Sequence, residues 1–328
     1  MSRSGKIPKK KKQKLKRQNK KQNGGGFVFQ NYIVCLIDIL GQSEQLKSWP
    51  PLPVNEQEMA QFEAAVAKSL GVVELLTIGF RKSFDLFLDP NVPNKIPVPL
   101  GVDATDVMEY RRMAVKAREN KIGVQQFSDT LVFYVPIFQK SLSIPTLMPI
   151  IAMVHVCSSI LIESLSREVA FRGGISIGVG TYTNCCGFYG PVLQEAHHLE
   201  SKVAQYPRIV LGKKLQAFLH ERNKNILLPK EIRFFSSEET ILDGWIFEDD
   251  DGWQCLDFIG KGMQESISKC DSDFKRKAIE KIHKAYSFVC KEEERFKEIE
   301  KEKEDKKLYK RYKRLREYMD SRLVYWRS

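Results

Sequence analysis

Two short segments do most to limit what this chain can fold into. Ile33-Val-Cys-Leu-Ile-Asp38-Ile-Leu-Gly41 and Gly123-Val-Gln-Gln-Phe-Ser-Asp129-Thr-Leu-Val-Phe-Tyr134 each run through β-branched and aromatic residues and carry one aspartate at the edge of the run. Such runs read as strands bounded by turns. Two ionised carboxylates about 4 Å apart repel by roughly 4 kcal/mol at an intermediate dielectric, and a bound cation removes that cost. The pairing of Asp38 with Asp129 therefore suggests a divalent-metal site for a nucleoside triphosphate.

The intervening pattern predicts a strand at 31–38 and a helix over about 56–84, with Met59, Phe62, Val66, Leu70 and Val73 on its apolar stripe. Pro90, Pro93, Pro97 and Pro99 mark residues 88–104 as an insertion loop, followed by a short helix at about 105–119. Two strands, 122–127 and 130–136, then meet at Ser128-Asp129 as a hairpin. A long apolar helix at 146–168 precedes the glycine-rich strand Phe171–Gly180, a helix from Pro191 to Ala204 and a strand over Pro207–Leu211. This order predicts an α+β protein with helices on one face of a mostly antiparallel sheet. The stretch Trp245–Phe258, with Gly252 in an acidic turn, reads as a further hairpin. For Asp249–Asp251 a solvated turn fits better than a calcium loop, whose spacing is missing. Beyond residue 262 the charge-dominated sequence predicts a single exposed or partner-bound helix.

The net charge of +12 points to nucleic acid until it is located. Residues 1–26 hold eleven Lys or Arg and no acid, leaving 42 basic against 41 acidic residues elsewhere, so the folded body is nearly neutral. The arm is expected to be disordered on its own, with residues 3–21 available to nucleic acid or an acidic surface. Seven cysteines without a secretory signal fit reduced thiols and a cytoplasmic location, and none has zinc-knuckle spacing. Ser141 to Ile162 carries no Asp, Glu, Lys or Arg, yet Pro145, His155, Ser158 and Ser159 interrupt it and Glu163, Arg167 and Glu168 continue its pattern. A helix packed under a sheet fits better than a membrane span.

Taken in order, Leu36-Ile-Asp38-Ile-Leu-Gly41, Phe127-Ser-Asp129-Thr-Leu, Arg172-Gly-Gly-Ile-Ser-Ile-Gly178 and Gly190-Pro-Val-Leu-Gln-Glu-Ala-His-His-Leu-Glu200 resemble the core motifs of class III nucleotidyl cyclases over about residues 30–215. Ala204-Gln-Tyr-Pro-Arg-Ile-Val-Leu211, the acidic hairpin and Lys310-Arg-Tyr-Lys-Arg-Leu315 are similar to a divergent bacterial cyclase-like group. The resemblance implies a ferredoxin-like, cyclase-type sheet. It also implies Mg2+ or Mn2+ held by Asp38 and Asp129, phosphate contacts from the backbone of Ile39, Leu40 and Gly41 and from Arg172, and a homodimer with active sites between two domains. Where the family places an asparagine and an arginine, this chain has Gln194 and His198, four apart on one helical face. Histidine is a smaller donor that is mostly neutral at pH 7, so the departure implies another base specificity, a transition-state cation from Lys202 or Arg208, or no turnover.

The expected organisation is a basic arm at 1–26, a cyclase-like domain at 27–215 with an insertion at about 88–118, a hairpin-containing extension at 216–261 and a charged helical tail at 262–328. Two other functions compete with a cyclase. One is a catalytically silent domain that binds a nucleotide or a partner. The other is a nucleic-acid protein using residues 3–21 and the stripe Lys306, Lys307, Lys310, Arg311, Lys313 and Arg314 with Tyr309 and Tyr312.

Overall fold

The computed structural model describes residues 28–41, 53–87, 121–139, 144–145, 148–224, 242, 244–301 and 306–326. The basic arm at 1–26 and the insertion at 88–118 lie outside the described residues. In chain order the elements are β1 (Gln30–Ile39), α1 (Glu56–Phe87), β2 (Gly123–Phe127), β3 (Thr130–Pro136), the short β4 (Phe138–Gln139) and β5 (Ile144–Pro145), and α2 (Met148–Leu165). They continue with β6 (Phe171–Thr183), β7 (Gly187–Tyr189), α3 (Pro191–His198), a π-helical turn (Leu199–Val203), β8 (Ile209–Leu211) and α4 (Lys213–Lys224). Last come β9 (Ile246–Glu248), β10 (Gln254–Leu256), α5 (Lys261–Ser268), α6 (Ser272–Ile299) and α7 (Lys307–Arg322), which ends in a 3-10 turn (Leu323–Trp326).

The protein is α+β, with a mixed, mostly antiparallel eight-stranded sheet in the order β2-β3-β1-β6-β8-β10-β9, and β7 pairs with the far end of β6. Among the described strands, β6 and β8 are the pair that run parallel. The hairpin expected at 122–127 and 130–136 forms with its turn at Ser128-Asp129, and the hairpin expected at 245–258 forms as β9 and β10.

β1 is apolar on both faces, so it needs cover on both. Ile33, Cys35, Ile37 and Ile39 join the main core with residues of α1, α2, α6 and α7. Tyr32, Val34 and Leu36 point the other way and pack with Val132, Tyr134 and Phe188 beneath Val192 and Ala196 of α3. The expectation of helices on one face is thus corrected, because the second apolar face of β1 is buried by α3. Gly173-Gly174 permits that approach. A Cβ on Gly174 would lie 2.5 Å from Leu199 Cβ and 2.6 Å from the Ala196 carbonyl oxygen.

Helix α1 is buried along Val73, Leu76, Phe80, Phe84 and Phe87, whereas Met59 and Leu70 of the expected stripe are exposed. Phe80 stacks on Phe133 of β3 with ring centroids 3.7 Å apart. Helix α2 is long and apolar enough to cross a membrane by length and composition, but nearly all of it is buried inside the fold.

The expected charged tail is also corrected. α6 and α7 pack on one another and place Ile282, Ala285, Phe288, Val289, Tyr312, Leu315, Met319 and Trp326 in the same core as β1. Lysine and arginine stems can cover much apolar surface, so composition hid a buried face with the spacing of Tyr312, Leu315 and Met319. Trp326 Nε1 donates to the Ile259 carbonyl at 2.8 Å, and Tyr318 Oη donates to Asp257 Oδ1 at 2.9 Å. The expected basic stripe is broken, since Tyr312 is buried and Arg314 bonds Asp249 at 3.2 Å.

If α3 is pressed on β6 through Gly174, Gly174→Ala will lower stability by roughly 1–3 kcal/mol through overpacking, read from urea unfolding curves. A change within about 0.5 kcal/mol, the usual range of surface substitutions, would contradict that contact.

Candidate functional site

Asp38 lies near the end of β1, across from Thr130 on β3 and Arg172 on β6. Thr130 Oγ1 donates to Asp38 Oδ1 at 3.1 Å, and Arg172 Nη2 sits 3.6 Å from Asp38 Oδ2. The β2–β3 turn, with Ser128 at φ 55°, delivers Asp129 to the same place, where its carbonyl accepts the Ile39 N–H at 3.3 Å. Burial raises the Asp38 pKa, and the Asp129 charge raises it further against the pull of Thr130 and Arg172. The two aspartates singled out in the sequence therefore share one end of the sheet and repel each other there.

A third acid completes the cluster. Glu200 is 3% exposed and its Oε1 lies 2.8 Å from Arg172 Nε. That ion pair is poorly aligned, leaving both atoms without a hydrogen-bond partner among the described residues. Burial drives the Glu200 pKa up to about 7; Arg172 pulls it down, while Asp38 and Asp129 push it up. One guanidinium pairs with two of three mutually repelling carboxylates, a balance that favours protonation or an added cation.

Glu200 had no role in the sequence reading, although its position held a signal. It falls four residues after Ala196 and eight after Val192, on the buried stripe of α3. A carboxylate on an apolar stripe is seldom buried without a charged partner. The π-helical turn, closed by Ala204 N–H to the Leu199 carbonyl at 2.8 Å, carries Glu200 over the sheet. Such turns are frequent at functional sites.

Other candidates are placed differently. The Ile39 N–H donates to the Asp129 carbonyl, and the Leu40 N–H donates to the Ala170 carbonyl at 2.9 Å. These two amides are taken up by the sheet end and are not open to phosphate, which corrects that expectation. Gly41 has φ +84° with open space where a Cβ would stand. Gln194 and His198 are exposed on α3, and neither makes a hydrogen bond or ion pair to Asp38 or Asp129. Arg172 is committed to Asp38 and Glu200 in the free chain.

Arg208 is not available as a transition-state cation. It is 2% exposed and bonds Asp249, Asp251 and the Val203 carbonyl. The acidic turn is thus neither a calcium loop nor a solvated bend, but the counter-charge for a buried guanidinium. Tyr206 donates to the same Asp249 at 2.6 Å.

Among the described residues no group of three or more His, Cys, Asp or Glu side chains is gathered so as to hold a metal ion by itself. Magnesium that arrives with a triphosphate is commonly bound through only one or two carboxylates, the phosphates and water supplying the rest. Asp38 and Asp129, electrostatically strained against each other, fit that mode and not a resident protein cage. The chain matches no protein-family model and no curated protein.

The Glu200 proton sets a pH dependence. The folded chain keeps it up to about pH 7 while the unfolded chain releases it near the ordinary 4.5, so the folded state binds more protons between those values. Stability contributed by this group is full below 4.5 and is lost as pH rises through 7. In thermal unfolding scans at about pH 5 and about pH 7.5, Glu200→Gln is expected to remove part of the wild-type fall in Tm. Parallel pH profiles for the two proteins would show that the Glu200 proton is not held by the fold.

Proposed function

We propose that this chain is a nucleotidyl cyclase-like protein that uses Mg2+ or Mn2+ to convert a nucleoside triphosphate to a 3′,5′-cyclic nucleotide and pyrophosphate, on a ferredoxin-like, cyclase-type scaffold. Bacterial signalling or antiphage defence in the cytoplasm would be its setting. The observation that carries this reading is the convergence of Asp38 and Asp129 at one sheet end, where the Asp129 charge helps raise the Asp38 pKa. The motif series around them adds the class III resemblance.

In this reading Asp38 and Asp129 hold the cation. When bound, it lowers the pKa of the ribose 3′-hydroxyl and neutralises the triphosphate. Thr130 and Arg172 fix the orientation of the Asp38 carboxylate through its two oxygens. Arg172, paired with Asp38 and Glu200, offsets part of the cluster's charge before substrate arrives and would be the guanidinium that meets its phosphates. Gln194 and His198, exposed on α3, would serve a substrate seated against a second copy of the chain, consistent with a homodimer.

A second reading has its own observation. The Ile39 and Leu40 amides are already bonded and His198 replaces the family's arginine, which favours a catalytically silent domain that binds a nucleotide without turning it over.

Incubation of purified protein with each of the four nucleoside triphosphates and Mn2+, followed by chromatography, separates the two. Cyclic product and pyrophosphate are expected, and Asp38→Asn or Asp129→Asn should lower the rate at least about 100-fold, as loss of a principal charge-stabilising group does. Metal-dependent binding by calorimetry without pyrophosphate would favour the silent reading. Turnover unchanged in both variants would remove the assignment.

A further inference from the structure

The seven cysteines are thiols, and among them Cys185 and Cys186 combine contact with access. Cys35 and Cys157 lie with their sulfurs 3.5 Å apart, yet both are buried and burial pushes the Cys157 thiol well up. Burial pushes Cys255 up to about 12 and raises Cys290 as well. These thiols are poor nucleophiles, because the thiolate is the reactive form. Cys185 and Cys186 differ on every count. Both are exposed, adjacent in the chain, and their sulfurs are 3.4 Å apart.

The surroundings of Cys185 favour its ionisation. Thr183 Oγ1 accepts the Cys186 N–H at 3.1 Å and the Cys185 S–H at 3.7 Å. Once Cys185 loses its proton, the same hydroxyl can turn and donate to the thiolate. That hydrogen bond, followed by the one from Cys186, holds the Cys185 pKa below the ordinary thiol range. The pair sits in the loop between β6 and β7, where Thr183 pairs with Gly187 and Gly187 takes φ +73°. The base of the loop is fixed, since the Phe188 N–H donates to Gln125 Oε1 of β2 at 2.6 Å. A change of bonding at the tip is therefore taken up by the loop and not by the sheet.

We propose that Cys185 and Cys186 are a redox-active vicinal dithiol that closes reversibly to an internal disulfide on reaction with small disulfides of the glutathione class. The Cys185 thiolate attacks one sulfur of the small disulfide, whose S–S bond breaks and releases one small thiol. Cys186 then gives up its proton, and its thiolate attacks the Cys185 sulfur of the mixed disulfide to expel the second small thiol. Two protein thiols are oxidised by two electrons, one small disulfide is reduced to two thiols, and both protein protons end on those thiols.

This bond would be a switch and not a staple. Adjacent Cα atoms are about 3.8 Å apart across a trans peptide, shorter than the roughly 4.4–6.8 Å span of unstrained disulfides. Strain of that kind makes a disulfide easily reduced, which is the property of labile and regulatory bonds. The proposal is independent of the nucleotide reading, so either can fail alone.

The test uses the reduced full-length chain in oxidised glutathione, with acid quench, alkylation of remaining thiols and peptide mass analysis. The wild-type peptide spanning both residues is expected to be two hydrogens lighter and unalkylated, and to oxidise about tenfold faster than Cys290 is modified, given its exposed, more ionised thiol. Cys185→Ser and Cys186→Ser are each expected to stop at a stable mixed disulfide on the remaining cysteine. A wild-type peptide carrying two glutathiones, or one alkylated at both sulfurs whether or not Cys290 reacts, would overturn the proposal.

Discussion

The fold turns on a strand that is apolar on both faces and ends in charge. β1 must be covered by α1 and α2 on one side and α3 on the other, which half-buries its one carboxylate, Asp38, beside other charges. Covering the second face brings the π-helical turn and Glu200 onto the same sheet end. The desolvation that stabilises the strand and the repulsion that strains the carboxylates are therefore one event. Burying like charges is unfavourable unless a counter-charge is supplied, and Arg172 supplies only part of it.

Two other buried charges among the described residues are met by counter-charges from distant parts of the chain. Buried Arg208 is met by Asp249 and Asp251, with Tyr206 and Arg314 on the same acid. Buried Asp257 is met by Tyr318 and by Arg322 Nε at 2.9 Å. These two networks attach the β9–β10 hairpin and α7 to the sheet, so residues beyond 215 share the core of those before it. The incompletely matched charge at Asp38, Asp129 and Glu200 sets three carboxylates against Arg172, in keeping with a site whose last partner is a ligand.

The β2–β3 hairpin, the central strand and the apolar helix could be read directly, because each is a local pattern: an apolar run broken at Ser128-Asp129, or a helical stripe long enough to count. What escaped was non-local. Arg208 and its acids are 41 and 43 residues apart, and no spacing rule links them. The amides of Ile39 and Leu40 looked open because their acceptors, on Asp129 in the β2–β3 turn and Ala170 just before β6, are distant in the chain. The buried face of α7 was masked by the lysines and arginines that flank it. Glu200 was within reach of the helical periodicity, had its place on the stripe been weighed as heavily as its charge.

The proposed site needs a cation that joins Asp38 and Asp129 only when a triphosphate brings it. Electron paramagnetic resonance of Mn2+, titrated with and without a non-hydrolysable nucleoside triphosphate, reads this directly. The wild-type chain is predicted to bind Mn2+ in the presence of the analogue, to bind it weakly without, and to lose the analogue-dependent signal in the doubly substituted Asp38→Asn, Asp129→Asn chain. Equal binding by both proteins would contradict the claim that these two carboxylates form the site.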